Sequence, residues 1–375
     1  MQGVRMAQWK SLAALGALAV ALLVPSCYAQ SQDSSQAADP GPQTSDSAAT
    51  SGGPVPILSV GLADNTFFEG GTAHLHPLVS PVVLIPLGDN WLIESRDTFE
   101  IDLAPEPGSD GAYKGYLQKE VDYLQLDYIA NPYLTVTVGR FLTPFGIFNE
   151  RLYPVWVRDL QSDPLILPIS TGPSGAGTGA MLRGGFNVAP SVEINYATYF
   201  STLSADTPLD SDRAAGARAG IYLPGPRVEF GGSFQHLLQD DHSNAFGFHF
   251  AWQPPPIPLD IRAEYARSHN GSGYWVEAAY RLSQSPVWQH ALRRVQVVGR
   301  MQQFLTGTVV DPVLPGANTN MFEFGINYYF RDHFRFVSSY GRQFAAPAGG
   351  GNENVWTLGL TYRPTIPLWP GGGKQ

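Results

Sequence analysis

Cysteine, lysine and long apolar runs are all scarce in this chain of 375 residues. The only cysteine, Cys27, lies in an N-terminal segment that we expect to be removed, which leaves the mature protein without disulfides or cysteine metal sites. Lysine occurs only four times, and no later segment has the ~20 consecutive apolar residues of a transmembrane helix. Thiol redox chemistry and a helical membrane protein are therefore excluded.

The N-terminus has the pattern of a cleaved export signal over residues 1–29. A charged start precedes an apolar stretch from Leu12 to Val24, which is too short to span a bilayer, and small residues precede a cut after Ala29. An uncleaved anchor is one alternative. A lipoprotein modified at Cys27 is another, but Pro25 fits a lipobox poorly. We therefore expect ordinary cleavage and export.

Acidic residues outnumber basic ones, at 32 Asp and Glu against 23 Lys and Arg. Such a surface repels nucleic acid, so no nucleic-acid partner is expected. Residues 30–56 are rich in Ser, Ala, Gln, Asp, Gly and Pro and predict a disordered periplasmic leader.

Apolar and polar residues alternate in short runs from residue 91 to residue 363, as in 322–330, and each run reads as a strand with one apolar face. Fourteen strands are predicted, at 91–103, 115–129, 133–141, 181–189, 192–200, 213–223, 228–237, 245–252, 259–267, 273–283, 294–304, 319–330, 334–343 and 354–363. Residues 57–90 are either an extra hairpin, which would make sixteen strands, or a segment at the periplasmic mouth. Residues 364–375 form a C-terminal tail.

The links between these strands alternate between short and long. This alternation is typical of an all-β, antiparallel up-and-down transmembrane barrel with short periplasmic turns and long extracellular loops. One parity carries aromatic and aliphatic residues for the lipid face, among them Phe246, Phe248, Phe322, Phe324 and Trp356. The other parity carries charges, which we expect to line the lumen: Arg183, Arg218, Arg262, Glu264, Glu277, Arg281, Arg300 and Glu323. So many charges on one face require water or dense ion pairing.

The longest link, 142–180, is too apolar to extend into water, and we expect it to fold into the lumen. A lid on the rim and a contact between subunits are the alternatives. The residues that would then line the constriction are Arg140, Glu150, Arg151, Arg158, Asp159 and Asp163.

The stretch Gly139-Arg140-Phe141-Leu142-Thr143-Pro144-Phe145-Gly146 resembles the strand-end motif of the phosphate-selective (O and P type) porin family. The resemblance implies a 16-stranded, trimeric barrel with an inward loop. The anion-selective members of that family use ladders of arginine and lysine, whereas this chain has only Lys114, Lys119 and Lys374 after the signal. Only the general role of a diffusion channel is therefore carried over.

Two other classes remain as alternatives. An outer-membrane hydrolase would need a nucleophile and a base, and His242-Ser243 and Ser268-His269 supply the residue types on loops beside Asp240 and Asp241. His74 and His76 have the spacing of metal ligands but lack a clear third ligand, and His249 stands alone on a lumen face. A plugged structural or adhesive barrel could bridge cations to lipopolysaccharide through acidic loops such as that of Asp206, Asp210 and Asp212.

The favoured interpretation is a porin, not an enzyme, that needs no cofactor. We expect it to lie in the bacterial outer membrane and to pass small hydrophilic solutes. Its expected partners are outer-membrane lipid, lipopolysaccharide, the barrel-assembly machinery and further copies of the chain in a homotrimer.

Overall fold

The computed structural model describes residues 55–69, 72–106, 111–171, 175–205, 209–239, 242–307, 314–331, 333–347 and 351–367. The expected signal peptide, nearly all of the expected leader and the end of the tail lie outside the described residues, as do Asp206, Asp240 and Asp241. In the described part of the chain, no helix is both long and apolar enough to cross a bilayer.

A closed antiparallel sheet of sixteen strands accounts for most of the described residues. Each strand pairs with the strands before and after it in sequence, and the last pairs with the first. The strands are β1 Ile57–Glu69, β2 Thr72–Leu87, β3 Trp91–Pro105, β4 Tyr113–Asn131, β5 Leu134–Leu142, β6 Ala176–Ala189, β7 Val192–Leu203, β8 Ala214–Leu223, β9 Val228–Leu237, β10 Asn244–Trp252, β11 Leu259–Arg267, β12 Gly271–Arg281, β13 Val295–Thr306, β14 Thr319–Arg331, β15 Phe334–Ala345 and β16 Glu353–Tyr362.

Short elements complete the chain at the ends of the barrel and between β5 and β6. A seventeenth strand, β17 (Thr365–Pro367), pairs with the start of β1. The helical turns are Phe148–Leu152, Leu167–Thr171, Leu282–Gln284 and Gln289–Leu292.

The predicted number of fourteen strands is wrong, because β1 and β2 form the additional hairpin. Proline has no N–H to donate to a neighbouring strand, and Pro77 and Pro81 lie within β2. The pairing of β2 with β3 skips both prolines, although β2 pairs with β1 at these positions. The prolines, together with polar residues such as Asp64, weaken the strand pattern of this hairpin in the sequence.

The apolar parity of the strands faces outward, as predicted. The large side chains that the sequence assigns to the lipid face are among the most exposed apolar groups of the protein, including Phe248, Phe322, Phe324 and Trp356. The alternate residues of the same strands are mostly buried, for example Glu323 and Asn327 in β14. The barrel therefore has an apolar outer surface and a polar interior.

The outer surface provides a stability test at Phe324, in the middle of β14. We expect Phe324→Arg to lower the free energy of unfolding in lipid vesicles by about 2–4 kcal/mol, because it places a charge at the level of the bilayer midplane. Trp288→Arg, in the link 282–294, is the control, because Trp288 is 79% exposed outside the strands. Urea unfolding monitored by circular dichroism measures both, and equal losses would show that Phe324 does not face hydrocarbon.

Candidate functional site

The link between β5 and β6 is described at residues 143–171 and 175 and lies inside the barrel; we call these residues the inner loop. Most of its apolar side chains are buried, the largest group of them against inward residues of β10 to β13 and Val155 against Ala63 of β1 and Leu78 of β2. Phe148 packs edge-to-face on Trp275 at 6.1 Å, and Ile166 approaches Gly273. The loop residues that share this apolar cluster are Phe145, Ile147, Phe148, Leu152, Ile166 and Ile169. Burial of these residues stabilises the inward position, because each would otherwise expose apolar surface to water.

A carboxylate of β11 binds the backbone at the start of the inner loop. Glu264 is 2% exposed, and its Oε2 accepts hydrogen bonds from the N–H groups of Ile147 at 3.1 Å and Phe148 at 3.2 Å. Gly146, the preceding residue, has φ +61°, and a Cβ there would lie 2.2 Å from Oε1 of Glu264. Only glycine fits both the backbone conformation and the space, which explains the last residue of the Pro144-Phe145-Gly146 motif.

Further polar contacts fix the middle of the inner loop to β13, β14 and β15. Ser162 donates its hydroxyl to Glu323 at 2.6 Å, and Arg300 donates to the Ser162 carbonyl at 2.8 Å. Asn327 donates to the Asp159 carbonyl at 2.9 Å, and Arg335 to the Val155 carbonyl at 2.9 Å. The loop is thus held through its backbone as well as its side chains, and a rigid position follows.

Ion pairs join the loop charges to the wall. Arg151 forms a bidentate ion pair with Glu229, with N–O distances of 2.7 and 2.8 Å, and Glu150 pairs with Arg218. Asp159 lies 3.3 Å from Arg262. Burial raises the pKa of the Asp159 carboxyl, while Arg262 and Arg335 oppose this shift.

Arg158 and Asp163, the other two loop residues predicted to line the constriction, pair with each other at 2.6 Å. Arg158 also donates to the carbonyls of Tyr153 and Gln161, so it holds the loop together. Arg140, at the end of β5, donates to the carbonyls of Val121 and Asp210 and does not join the loop residues.

The remaining residues predicted to line the lumen lie on the inward parity of their strands. Arg183 pairs with Asp127 at 2.8 Å, and Arg300 pairs with Glu323. Glu277 lies 3.8 Å from both Arg262 and Arg300. Arg281 is different: it lies on the ring of Tyr329, at 4.2 Å, near the end of β12. Most of these charges are therefore neutralised within the wall.

The sequence reasoning missed a buried pair, Arg96 with Asp122, which are 2.7 Å apart. Arg96 also lies over the ring of Tyr153, at 5.5 Å, so the inner loop reaches across the lumen to β3. The pairing of β3 with β4 is irregular at Arg96/Asp97, and Asp122 falls at this irregularity. Strict alternation from the end of β4 therefore predicts that Asp122 faces outward, whereas it is buried in the interior. The signal that could have indicated the pair is the charge of Arg96 on the inward face of β3.

The alternative catalytic and metal residues are dispersed. The ring of His242 stacks on His236, and Ser268 accepts a hydrogen bond from the backbone N–H of Asn270. His76 contacts Glu100 at 2.8 Å, and His249 is buried 3.5 Å from Glu229. In the part of the chain that the structure describes, no group of three or more His, Cys, Asp or Glu residues could hold a metal ion.

No protein-family model and no curated protein matches the chain. The fold, by contrast, matches solved structures. OprB of Pseudomonas putida at low pH has 9% identity and a TM-score of 0.57 over 83% of this chain and 93% of that chain. The chain has a porin fold. OmpF of Salmonella typhi in complex with daunomycin has 9% identity and a TM-score of 0.56 over 82% of this chain and 97% of that chain.

The trimer form of OmpT, an outer membrane protein of Vibrio cholerae, has 11% identity and a TM-score of 0.50 over 83% of this chain and 100% of that chain. At such identities the likeness establishes the fold alone. The resemblance of the Arg140–Gly146 motif to the phosphate-selective type stays a prediction.

The contact of Gly146 with Glu264 provides a test of the loop anchor. We expect Gly146→Ala to destabilise the protein by about 1–2 kcal/mol from the left-handed backbone and by a further ~1–3 kcal/mol from the clash with Glu264. Gly88→Ala is the matched control, because Gly88 has φ +64° but no atom within 4 Å of the added Cβ. Urea unfolding compares the two variants, and equal losses would contradict the tight contact.

Proposed function

We propose that the protein is an outer-membrane porin through which small hydrophilic solutes diffuse passively. The observation that carries the proposal is a closed barrel crossed by a fixed inner loop, beside which charged side chains keep contact with solvent. The side chain of Arg151 on the loop is 38% exposed, and that of Arg183 on β6 is 36% exposed. Charged groups that are exposed inside a barrel need water around them.

The inner loop narrows this passage but does not act as a gate. Its contacts with Glu264, Glu323, Arg300 and Arg335 are buried, and breaking one buried charged contact costs about 3–5 kcal/mol. Movement of the loop would break several contacts at once. The proposed channel is therefore permanently open, and the loop acts as a sieve with Glu150 and Arg151 at its edge.

The same proposal implies which lipids and proteins surround the channel. The apolar outer surface suits outer-membrane lipid and lipopolysaccharide, and insertion would need the barrel-assembly machinery. A homotrimer is supported by the likeness to the trimer form of OmpT. The solute moves down its gradient, so the proposal requires neither a cofactor nor a catalytic residue.

A plugged barrel with a structural role is a second candidate, favoured by one observation. Tyr153 of the inner loop reaches Arg96 on β3, and burial raises the pKa of its hydroxyl well above the usual range. Packing of this kind at every point around the loop would leave no continuous water path.

Single-channel recording in a planar bilayer separates the two candidates. We expect steady conductance from the purified protein, and we expect Tyr153→Ala to raise it roughly twofold, because the ring bridges the loop to β3. Val157→Ala is the control, because Val157 lies in the same loop but is 37% exposed. A folded barrel that stays silent in every recording would refute the porin and favour the plugged barrel.

A further inference from the structure

The sign of the charge along the lumen is uneven between its two sides. From β8 to β15, the guanidinium groups facing the inner loop have carboxylate or carbonyl partners. Arg218 pairs with Glu150, Arg262 with Asp159 and Asp260, and Arg335 with the Val155 carbonyl. The carboxylate partners cancel most of the positive charge on that side, and little net field remains there for a passing ion.

The inward face of β3 is different. It carries Glu94, Glu100 and Asp102, which are all half-buried. Among the described residues, no arginine or lysine nitrogen lies within 4.0 Å of these three carboxyls. Glu94 accepts a hydrogen bond from the amide of Gln125 at 3.2 Å, and in the described part of the chain His76 is the one basic residue with a nitrogen within 4.0 Å of Glu100 and Asp102.

These three carboxyls lie on both sides of the point where the inner loop contacts β3. Arg96, which touches the inner-loop residue Tyr153, lies between Glu94 and Glu100 along β3. Glu100 and Asp102 are nearer the end of the barrel where the inner loop begins, and Glu94 is nearer the other end. An ion that passes the loop therefore meets carboxylates without an arginine or lysine partner before and after it.

The neighbouring strands do not reverse this sign. Inward residues of β3 and β4 include three further carboxyls, of Glu120, Asp122 and Asp127, whereas the inward cations of β3 to β6 are few. They are Arg96, Arg140, Arg183 and, at the end of β4, Lys114. Arg96 is paired with Asp122 and Arg183 with Asp127, while Arg140 donates to carbonyl groups and keeps its charge. The six carboxyls of this wall outnumber the four cations, so a net negative charge remains on it.

We infer that the channel favours cations over anions, and that Glu94, Glu100 and Asp102 set this preference. The inference rests on the proposed channel function. These carboxylates act through their field on passing ions and need not bind one, so the preference should weaken as added salt screens them. The Arg140–Gly146 motif resembles that of the phosphate-selective porin family, and selectivity for phosphate would require a positive field.

The test is the reversal potential of the purified protein in a planar bilayer under a KCl gradient. We expect a potassium-to-chloride permeability ratio above 1 that falls toward 1 as the salt concentration rises. The triple variant E94Q/E100Q/D102N should lower the ratio at low salt by roughly twofold or more. Asp89→Asn is the control for a lost charge, because Asp89 lies in the exposed turn 88–90 outside the lumen.

The outcomes separate the inference from the function on which it rests. A conducting wild-type channel whose ratio is at or below 1, or a triple variant with an unchanged ratio, would overturn the cation preference and leave the porin intact. A folded protein without conductance would overturn both. Circular dichroism of the variant verifies folding, and the single variants E94Q and E100Q replace the triple variant if it does not fold.

Discussion

Closure of the sheet is the constraint on which the rest of the structure depends. A strand at the edge of a sheet leaves its N–H and C=O groups unpaired, and in hydrocarbon each unpaired group costs several kcal/mol. The pairing of β1 with β16 removes the edge. Once the sheet is closed, each strand has one face outside and one inside, and the period of two in the sequence separates apolar from charged side chains.

The interior that closure creates is too wide to be filled by strand side chains alone. The inner loop fills part of it, with an apolar side toward β10 to β13 and a backbone held by Glu264 and other wall residues. The loop also reaches Arg96 on β3 and, through Val155, Ala63 on β1 and Leu78 on β2. Most of the charges near the loop are paired, whereas in the described part of the chain no arginine or lysine nitrogen lies within 4.0 Å of Glu94, Glu100 and Asp102 on β3. The proposed sieve depends on the path of the loop, and the proposed cation preference depends on this difference in pairing.

The barrel itself could be predicted from alternation and link length, because lipid and water impose their period on every strand. The hairpin of β1 and β2 was one of two alternatives for residues 57–90, because Pro77 and Pro81 interrupt the side-chain pattern where pairing with β1 continues. The inner loop was expected to fold inward from its apolar composition, yet its anchors could not be named. Glu264 was expected to line the lumen, whereas it binds the loop backbone at Ile147 and Phe148.

Alternation in the sequence is enough to assign side chains to lipid or to the interior, except at the irregularity of β4 near Asp122, because elsewhere the assignment depends on parity along the strand. The sequence also determined that one link was long and apolar enough to need burial. Which charges meet, by contrast, depends on the folded barrel. Arg96 and Asp122, or Arg151 and Glu229, are far apart in the chain and become partners through strand register and the path of the inner loop. For this reason the net charge along the lumen, which depends on pairing rather than on composition, could not be read from the sequence.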